Sequence, residues 1–160
     1  MARPITEEEK QYAQELLERA RSAQKQIDHL TQEEVDRAIQ AVAWATANEK
    51  TFTRLARMGV EESDLGDWEG RPNKRFKIKG ILRDALRQKS VGIVEEIPEK
   101  GLVKYAKPVG VIAALVPTTN PALTPPGMGI YALKAKNAVV FSPHPRAKQT
   151  TIETVGIMRR

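Results

Sequence analysis

The feature that most constrains the fold of this chain is a nearly unbroken apolar run from Val109 to Val116, VGVIAALV. A strand with one solvated face alternates apolar and polar residues. A continuous run rich in Val and Ile instead suits a parallel strand covered on both faces. Pro117 ends it, and Thr118 to Pro121 form a polar turn. Pro125 and Pro126 suit a helix start, where a missing N–H costs little, and Met128, Tyr131, Ala132 and Ala135 then recur at helical spacing until Asn137 stops the helix. Ala138 to Phe141 is a second short apolar strand, Ser142–Pro143–His144–Pro145 a rigid polar turn, and Lys148 to Met158 a further helical pattern. Two strands joined by a helix make a βαβ crossover, and open α/β sheets bind ligands outside the carboxyl ends of their strands. The turns PTTNP and SPHPR both follow such ends, which makes them the candidate site.

The chain before this unit reads as helical. Thr6 with Glu9 and Thr31 with Glu34 fit capping boxes, in which hydroxyl and carboxylate satisfy each other's backbone donors. Tyr12, Leu16, Ala20 and Ala23 line one face of the first helix, and Val35, Ile39 and Val42 follow the second box. A third helix is expected from Lys50 to about Met58, burying Phe52, Leu55 and Ala56, and a fourth from Lys74 to Gln88 with Phe76, Ile78, Ile81, Leu82 and Leu86. Val91–Ile97 and Leu102–Lys107 read as two strands around the turn Pro98–Gly101, a charge-rich β-hairpin. A lone hairpin is marginally stable and needs a partner surface. The fold class is therefore α/β: a helical N-terminal part (1–89), a hairpin arm (90–108) and the first βαβ of a parallel, Rossmann-like sheet (109–160), an incomplete domain.

Composition excludes several function classes. The sequence has no cysteine, which removes disulfides, thiolate metal sites and a cysteine nucleophile. No apolar run approaches the roughly 18 residues of a membrane span, and MARPITEEEK has no apolar signal region, so no membrane is expected and the cytoplasm is the expected compartment. The formal net charge is +6, with basic residues concentrated at Arg71–Arg87 and Lys134–Arg160. Such an excess reads as a solvated face or as attraction for anionic cofactors. With few aromatics for stacking and no recognised motif, no nucleic-acid partner is expected.

The pair PTTNP and NAVVFSPHPRAK, spaced as here, resembles the aldehyde dehydrogenase superfamily in its CoA-acylating branch, which includes acetaldehyde, succinate-semialdehyde and sulfoacetaldehyde dehydrogenases. The resemblance covers essentially the whole chain and corresponds to the N-terminal portion of such an enzyme. It implies NAD or NADP as cofactor, coenzyme A as co-substrate and a small aldehyde as substrate. It also implies that the hairpin is an oligomerisation arm, so that the partner is a homo-oligomer or a C-terminal catalytic part carrying the nucleophilic Cys. In the family an Asn side chain helps hold the oxyanion. Aligned by its prolines, that position falls on Thr119, one place before Asn120, so the resemblance implies a catalytic role for Asn120 or Thr119. The alternative is that Asn120 only caps the following helix through an Asx turn. Pro117, Thr118, Ser142, Pro143, His144, Pro145 and Arg146 are the implied cofactor-binding residues. Ser142 stands where common hydrolytic members have a ribose-binding Lys. No acid/base partner for His144 is visible, so stacking or phosphate contact suits it better than proton transfer. Arg146 and Lys148, beside a helix start, suit a phosphate, though ordinary surface charge is the competing reading. No metal site is expected. The helical pattern running to Arg160 reads as a truncation. Two functions stand: the cofactor-binding fragment of an acylating aldehyde dehydrogenase, or a non-catalytic interaction module that docks a full-length subunit.

Overall fold

The computed structural model describes residues 3–160. Two polar-capped helices open the described chain. Thr6 and Thr31 start helices α1 (Glu7–Ile27) and α2 (Gln32–Ala47), each with both hydrogen bonds of its capping box formed. Arg3 joins Glu9 in an ion pair, and this, with the Thr6 backbone N–H, holds the Glu9 carboxyl down at about 2. Helix α1 buries only Ala20 outright, leaves Tyr12 and Ala23 exposed, and lies against the parallel sheet described below.

Asn48 caps α3 (Glu49–Ser63) by accepting from Thr51 N–H. The helix does not stop near Met58. Gly59 sits inside it, where the missing side chain lets Pro121 and Thr150 approach, and the left-handed Asp64 ends it five residues later than the sequence pattern suggested. A short 3-10 turn, Arg71–Lys74, leads into α4 (Arg75–Leu86). Ile78 and Ala85 face the core, whereas Phe76 is exposed with Arg75 and Lys79 over its ring.

Strands β1 (Gly92–Ile97) and β2 (Leu102–Ala106) form the expected antiparallel hairpin, turned by Gly101 at φ +62° and interrupted by an irregularity between Ile93 and Glu95. Its base is tied to the helical part: Gln32 Oε1 accepts from both Ser90 N–H and Val91 N–H, and Ser90 Oγ donates to the Lys134 carbonyl. Leu102, Val103 and Tyr105 lie exposed along the second strand.

Strands β3 (Val111–Val116) and β4 (Ala138–Pro143) pair in parallel, from Val111 opposite Ala138 to Val116 opposite Pro143, and are joined by α5 (Thr124–Lys134). Helix α6 (Lys148–Met158) follows. The apolar run is thus a parallel strand, but it is not covered on both faces. Ala114 and Val116 are buried, while Ala113 is exposed and Leu115 is 78% exposed. Helix α5 does not present the single stripe expected of it. It is clasped by α2, α4 and α6 and by both strands, so Gly127, Gly129, Ile130 and Ala132 are all buried, and Met128 and Tyr131 face out. It ends in a Schellman pattern: Asn137 N–H donates to Ala132 O, Lys136 N–H to Leu133 O, and Lys136 takes the left-handed conformation usually given to Gly. The core gathers Ile39, Phe52, Leu55, Ile78 and Ile130 from α2 to α5. No helix among the described residues is long and apolar enough to cross a membrane.

Candidate active site

The parallel register sets the two turns side by side. The pairing runs to Val116 opposite Pro143, and His144 N–H then donates to Val116 O at 3.0 Å. Ser142 and Pro143 therefore belong to the end of β4 rather than to the turn, which narrows to His144 and the 3-10 residues Pro145–Ala147.

In the first turn Asn120 N–H closes on Pro117 O, and the Asn120 carbonyl accepts from Leu123 and Thr124 N–H. The Asn120 side chain does not cap α5, whose start has no side-chain cap. Its Oδ1 accepts from Lys74 Nζ at 2.7 Å, and its Nδ2 lies 3.3 Å from Thr119 Oγ1. Arg71, from the same 3-10 turn as Lys74, donates to Thr119 O at 2.9 Å and to Leu65 O at 2.7 Å. Burial, together with the neighbouring charges of Arg71 and Lys77, holds the Lys74 ammonium below the ordinary lysine value. A small cleft lined by Leu55, Gly59, Lys74, Asn120 and Pro121 lies behind the turn. Thr118 Oγ1 is the one buried side-chain oxygen or nitrogen without a hydrogen-bond partner among the described residues. Buried hydroxyls are almost always paired, so this is a donor directed at no protein group.

At the end of β4, just before the second turn, Ser142 is exposed. His144 Nδ1 accepts from Arg146 N–H at 3.2 Å, so the imidazole caps its own turn and a neutral ring carries its proton on Nε2. Arg146 Nη2 donates to Ser63 O at 2.6 Å, fastening the turn to the end of α3. The start of α6 is already bound as well. Glu62 accepts from Gln149 N–H at 2.7 Å, from Thr150 N–H at 2.8 Å and from Thr150 Oγ1 at 2.7 Å. Burial alone would raise the Glu62 carboxyl; the bonds from Thr150, Gln149 and Lys148 outweigh it and leave the group below its ordinary value. The backbone donors that the sequence offered to a phosphate at this helix start thus hold a carboxylate of the same chain. No metal-holding group of His, Asp or Glu occurs among the described residues.

The sequence pattern did not single out Lys74, Arg71 or Glu62. Each acts on residues 46 to 88 positions away, and nothing local marks them.

The aldehyde dehydrogenase family model matches residues 3–160. The chain belongs to the aldehyde dehydrogenase family. Among curated members it is 46% identical over 144 residues to a sulfoacetaldehyde dehydrogenase of an Acholeplasma species, covering 89% of this chain and 30% of that protein. It is 40% identical over 146 residues to the acylating sulfoacetaldehyde dehydrogenase of Bilophila wadsworthia, covering 91% and 32%. The chain thus spans about a third of the length of these relatives. The crystal structure of an acetylating aldehyde dehydrogenase from Geobacillus thermoglucosidasius superimposes with a TM-score of 0.85 at 37% identity, over 92% of this chain and 32% of that one. Two further family structures hold ligands: an engineered glycolyl-CoA reductase with NADP+ (TM-score 0.71, 31% identity, 91% and 32% covered) and Rhodopseudomonas palustris propionaldehyde dehydrogenase with CoA (0.71, 32%, 91% and 33%). The α/β architecture of this chain is that of the N-terminal part of acylating aldehyde dehydrogenases.

Proposed function

We propose that this chain is the cofactor-binding portion of a CoA-acylating aldehyde dehydrogenase, an oxidoreductase that converts a small aldehyde, CoA and NAD or NADP to acyl-CoA and the reduced cofactor. The observation that carries this reading is the parallel register of β3 and β4, which brings the PTTNP and SPHPR turns to one end of one sheet. The unpartnered Thr118 hydroxyl at that end fits a ligand-facing donor. Pro117, Thr118, Ser142, Pro143, His144, Pro145 and Arg146 would hold the cofactor. Ser142 would donate to a ribose hydroxyl, and Arg146 would meet a phosphate by exchanging its bond to the Ser63 carbonyl. The nicotinamide, when bound, supplies the hydride acceptor. Asn120 Nδ2 or the Thr119 hydroxyl would stabilise the substrate oxyanion, a donor worth about 3 kcal/mol of barrier. The chain holds no cysteine, so the thiolate comes from outside these 160 residues. The names of the relatives favour an aldehyde with an anionic tail, of the sulfoacetaldehyde or succinate-semialdehyde type.

The bare face at Ala113 and Leu115 suits burial by the rest of such a subunit. The exposed Leu102, Val103 and Tyr105 suit docking of the hairpin on another subunit. That exposure also supports the second reading, a non-catalytic module that binds a full-length subunit. Kinetics separate the two. The chain alone should form no NADH from an aldehyde and CoA, and adding the catalytic remainder should restore turnover. In the complete enzyme Ser142→Ala and Arg146→Ala should raise the cofactor KM, and Asn120→Ala or Thr119→Ala should lower kcat. Normal cofactor binding by both the Ser142 and Arg146 variants would refute their assignment. A complete assembly without turnover would favour the module.

A further inference from the structure

The carboxamide of Asn120 is orientated by a cation. An ammonium donates hydrogen bonds and accepts none, so Lys74 Nζ, 2.7 Å away, admits only the oxygen of the amide on its side. The NH2 group must then face the other way, toward Thr119 Oγ1. The backbone is held from the same 3-10 turn, three residues earlier, where Arg71 binds the Thr119 carbonyl at 2.9 Å and anchors on Leu65 O. One short segment, Arg71–Lys74, therefore fixes both the path of the PTTNP turn and the rotation of its amide. Asn120 has no competing role, since its side chain does not cap α5.

We propose that Lys74 is a positioning residue for Asn120: it keeps the amide N–H groups directed away from the helical part and polarises them by charge-assisted bonding at Oδ1. This rests on the oxyanion role proposed above for Asn120. An uncharged neighbour would let the amide rotate, and an amide presenting its oxygen to a developing oxyanion repels it.

The test has two arms. In the 160-residue chain, labelled with 15N, Lys74→Met should shift the Asn120 side-chain NH2 resonances and leave those of Asn48 and Asn137 in place. In the complete enzyme the same substitution should lower kcat about tenfold, less than the 10²–10³ lost with an oxyanion donor itself, with KM for aldehyde and cofactor unchanged. In an Asn120→Ala background it should cost nothing further. Lys74→Arg, which keeps a charged donor, should recover part of the loss, and it serves as the comparison if the Met variant folds poorly. Unmoved Asn120 resonances would overturn the proposal irrespective of activity. So would an equal loss of kcat in both backgrounds, since Lys74 would then act elsewhere. An Asn120→Ala enzyme with unchanged kcat would instead defeat the oxyanion reading, and this inference with it.

Discussion

Lys134 offers the sharpest energetic test of the fold. Its side chain is 5% exposed, and its ammonium is paired with Asp36, itself 24% exposed. Gln32 Nε2 donates to the same carboxylate at 3.1 Å, while its Oε1 holds the base of the hairpin. Breaking a buried ion pair from one side leaves a desolvated charge and costs about 3–5 kcal/mol. Water reaches a quarter of Asp36, so Asp36→Asn should cost less, about 2–3 kcal/mol, because the Lys134 ammonium then faces only an amide. For a chain of this size that lowers the melting temperature by on the order of 5–10 °C. Replacing both partners with apolar residues, Asp36→Leu with Lys134→Met, removes the stranded charge. Only the Gln32 bond is then lost, so the double variant should lie within about 1 kcal/mol of the parent. Urea denaturation of the parent, Asp36→Leu, Lys134→Met and the double variant, followed by far-ultraviolet circular dichroism, gives the four corners of the cycle. A coupling energy above about 2 kcal/mol is expected, high in the range for residues in contact. Additive single variants, or an Asp36→Asn change below about 0.5 kcal/mol, would show that the pair is effectively solvated and refute the reasoning.

Three further outcomes follow from the same contacts. Gly66 has φ +76°, and a Cβ there would lie 2.7 Å from Arg71 Nη2; Gly66→Ala should cost about 2 kcal/mol in denaturant and speed amide exchange in the PTTNP turn, combining left-handed strain with a displaced Arg71 clamp. Asn137 Oδ1 accepts from Gly110 N–H at 2.9 Å in a partly buried bond; Asn137→Ala should cost about 1 kcal/mol by removing it, measurable as lost protection of the Gly110 amide. The Glu62 carboxyl is held below its unfolded value, so its contribution is present above the ordinary carboxylate pKa and fades as pH falls through the folded one; Glu62→Gln should flatten the acid side of the stability profile, and an unchanged acid limb would disprove that role.

What the sequence made legible was local. Both capping boxes formed because their partners lie three residues apart. The apolar run announced a parallel strand, although the face carrying Ala113 and Leu115 is bare, and the proline-bounded turns stand at the strand ends. The failures share one cause, which is contact between distant segments. The third helix is expected to end near Met58, yet it continues through Gly59, a point of close approach for Pro121 and Thr150. In α5, Met128, Tyr131, Ala132 and Ala135 recur at helical spacing, but the helix is enclosed on several sides and Met128 and Tyr131 face out. Lys134 belongs by sequence to a basic stretch that reads as a solvated face or an attraction for anions, although its partner lies 98 residues earlier. In the candidate site, residue types and spacing located both turns. The orientation of Asn120 depends on Lys74, 46 residues away, and the filling of the α6 start depends on Glu62, 88 residues away.

These long-range bonds also change what the net charge of +6 means. Net charge speaks to association only through charges that solvent and ligands can reach. Lys134 is neutralised inside the fold by Asp36. Arg71 and Arg146 spend donors on the carbonyls of Thr119, Leu65 and Ser63, and Lys74 spends one on Asn120. Those carbonyl and amide partners are uncharged, so the bonds fix the positions of the three cations without pairing them with an anion. All three hold residues of the two turns or the segments that support them. Three of the cations beside the two turns are therefore held in place by the fold. A held cation attracts an anion with little further ordering cost, whereas a mobile surface lysine must first give up its conformational freedom. Glu62 occupies the start of α6, where a phosphate would otherwise gain most from backbone donors. The backbone donors at the start of α6 are thus already satisfied by Glu62, whereas the cations beside the two turns are held by neutral groups.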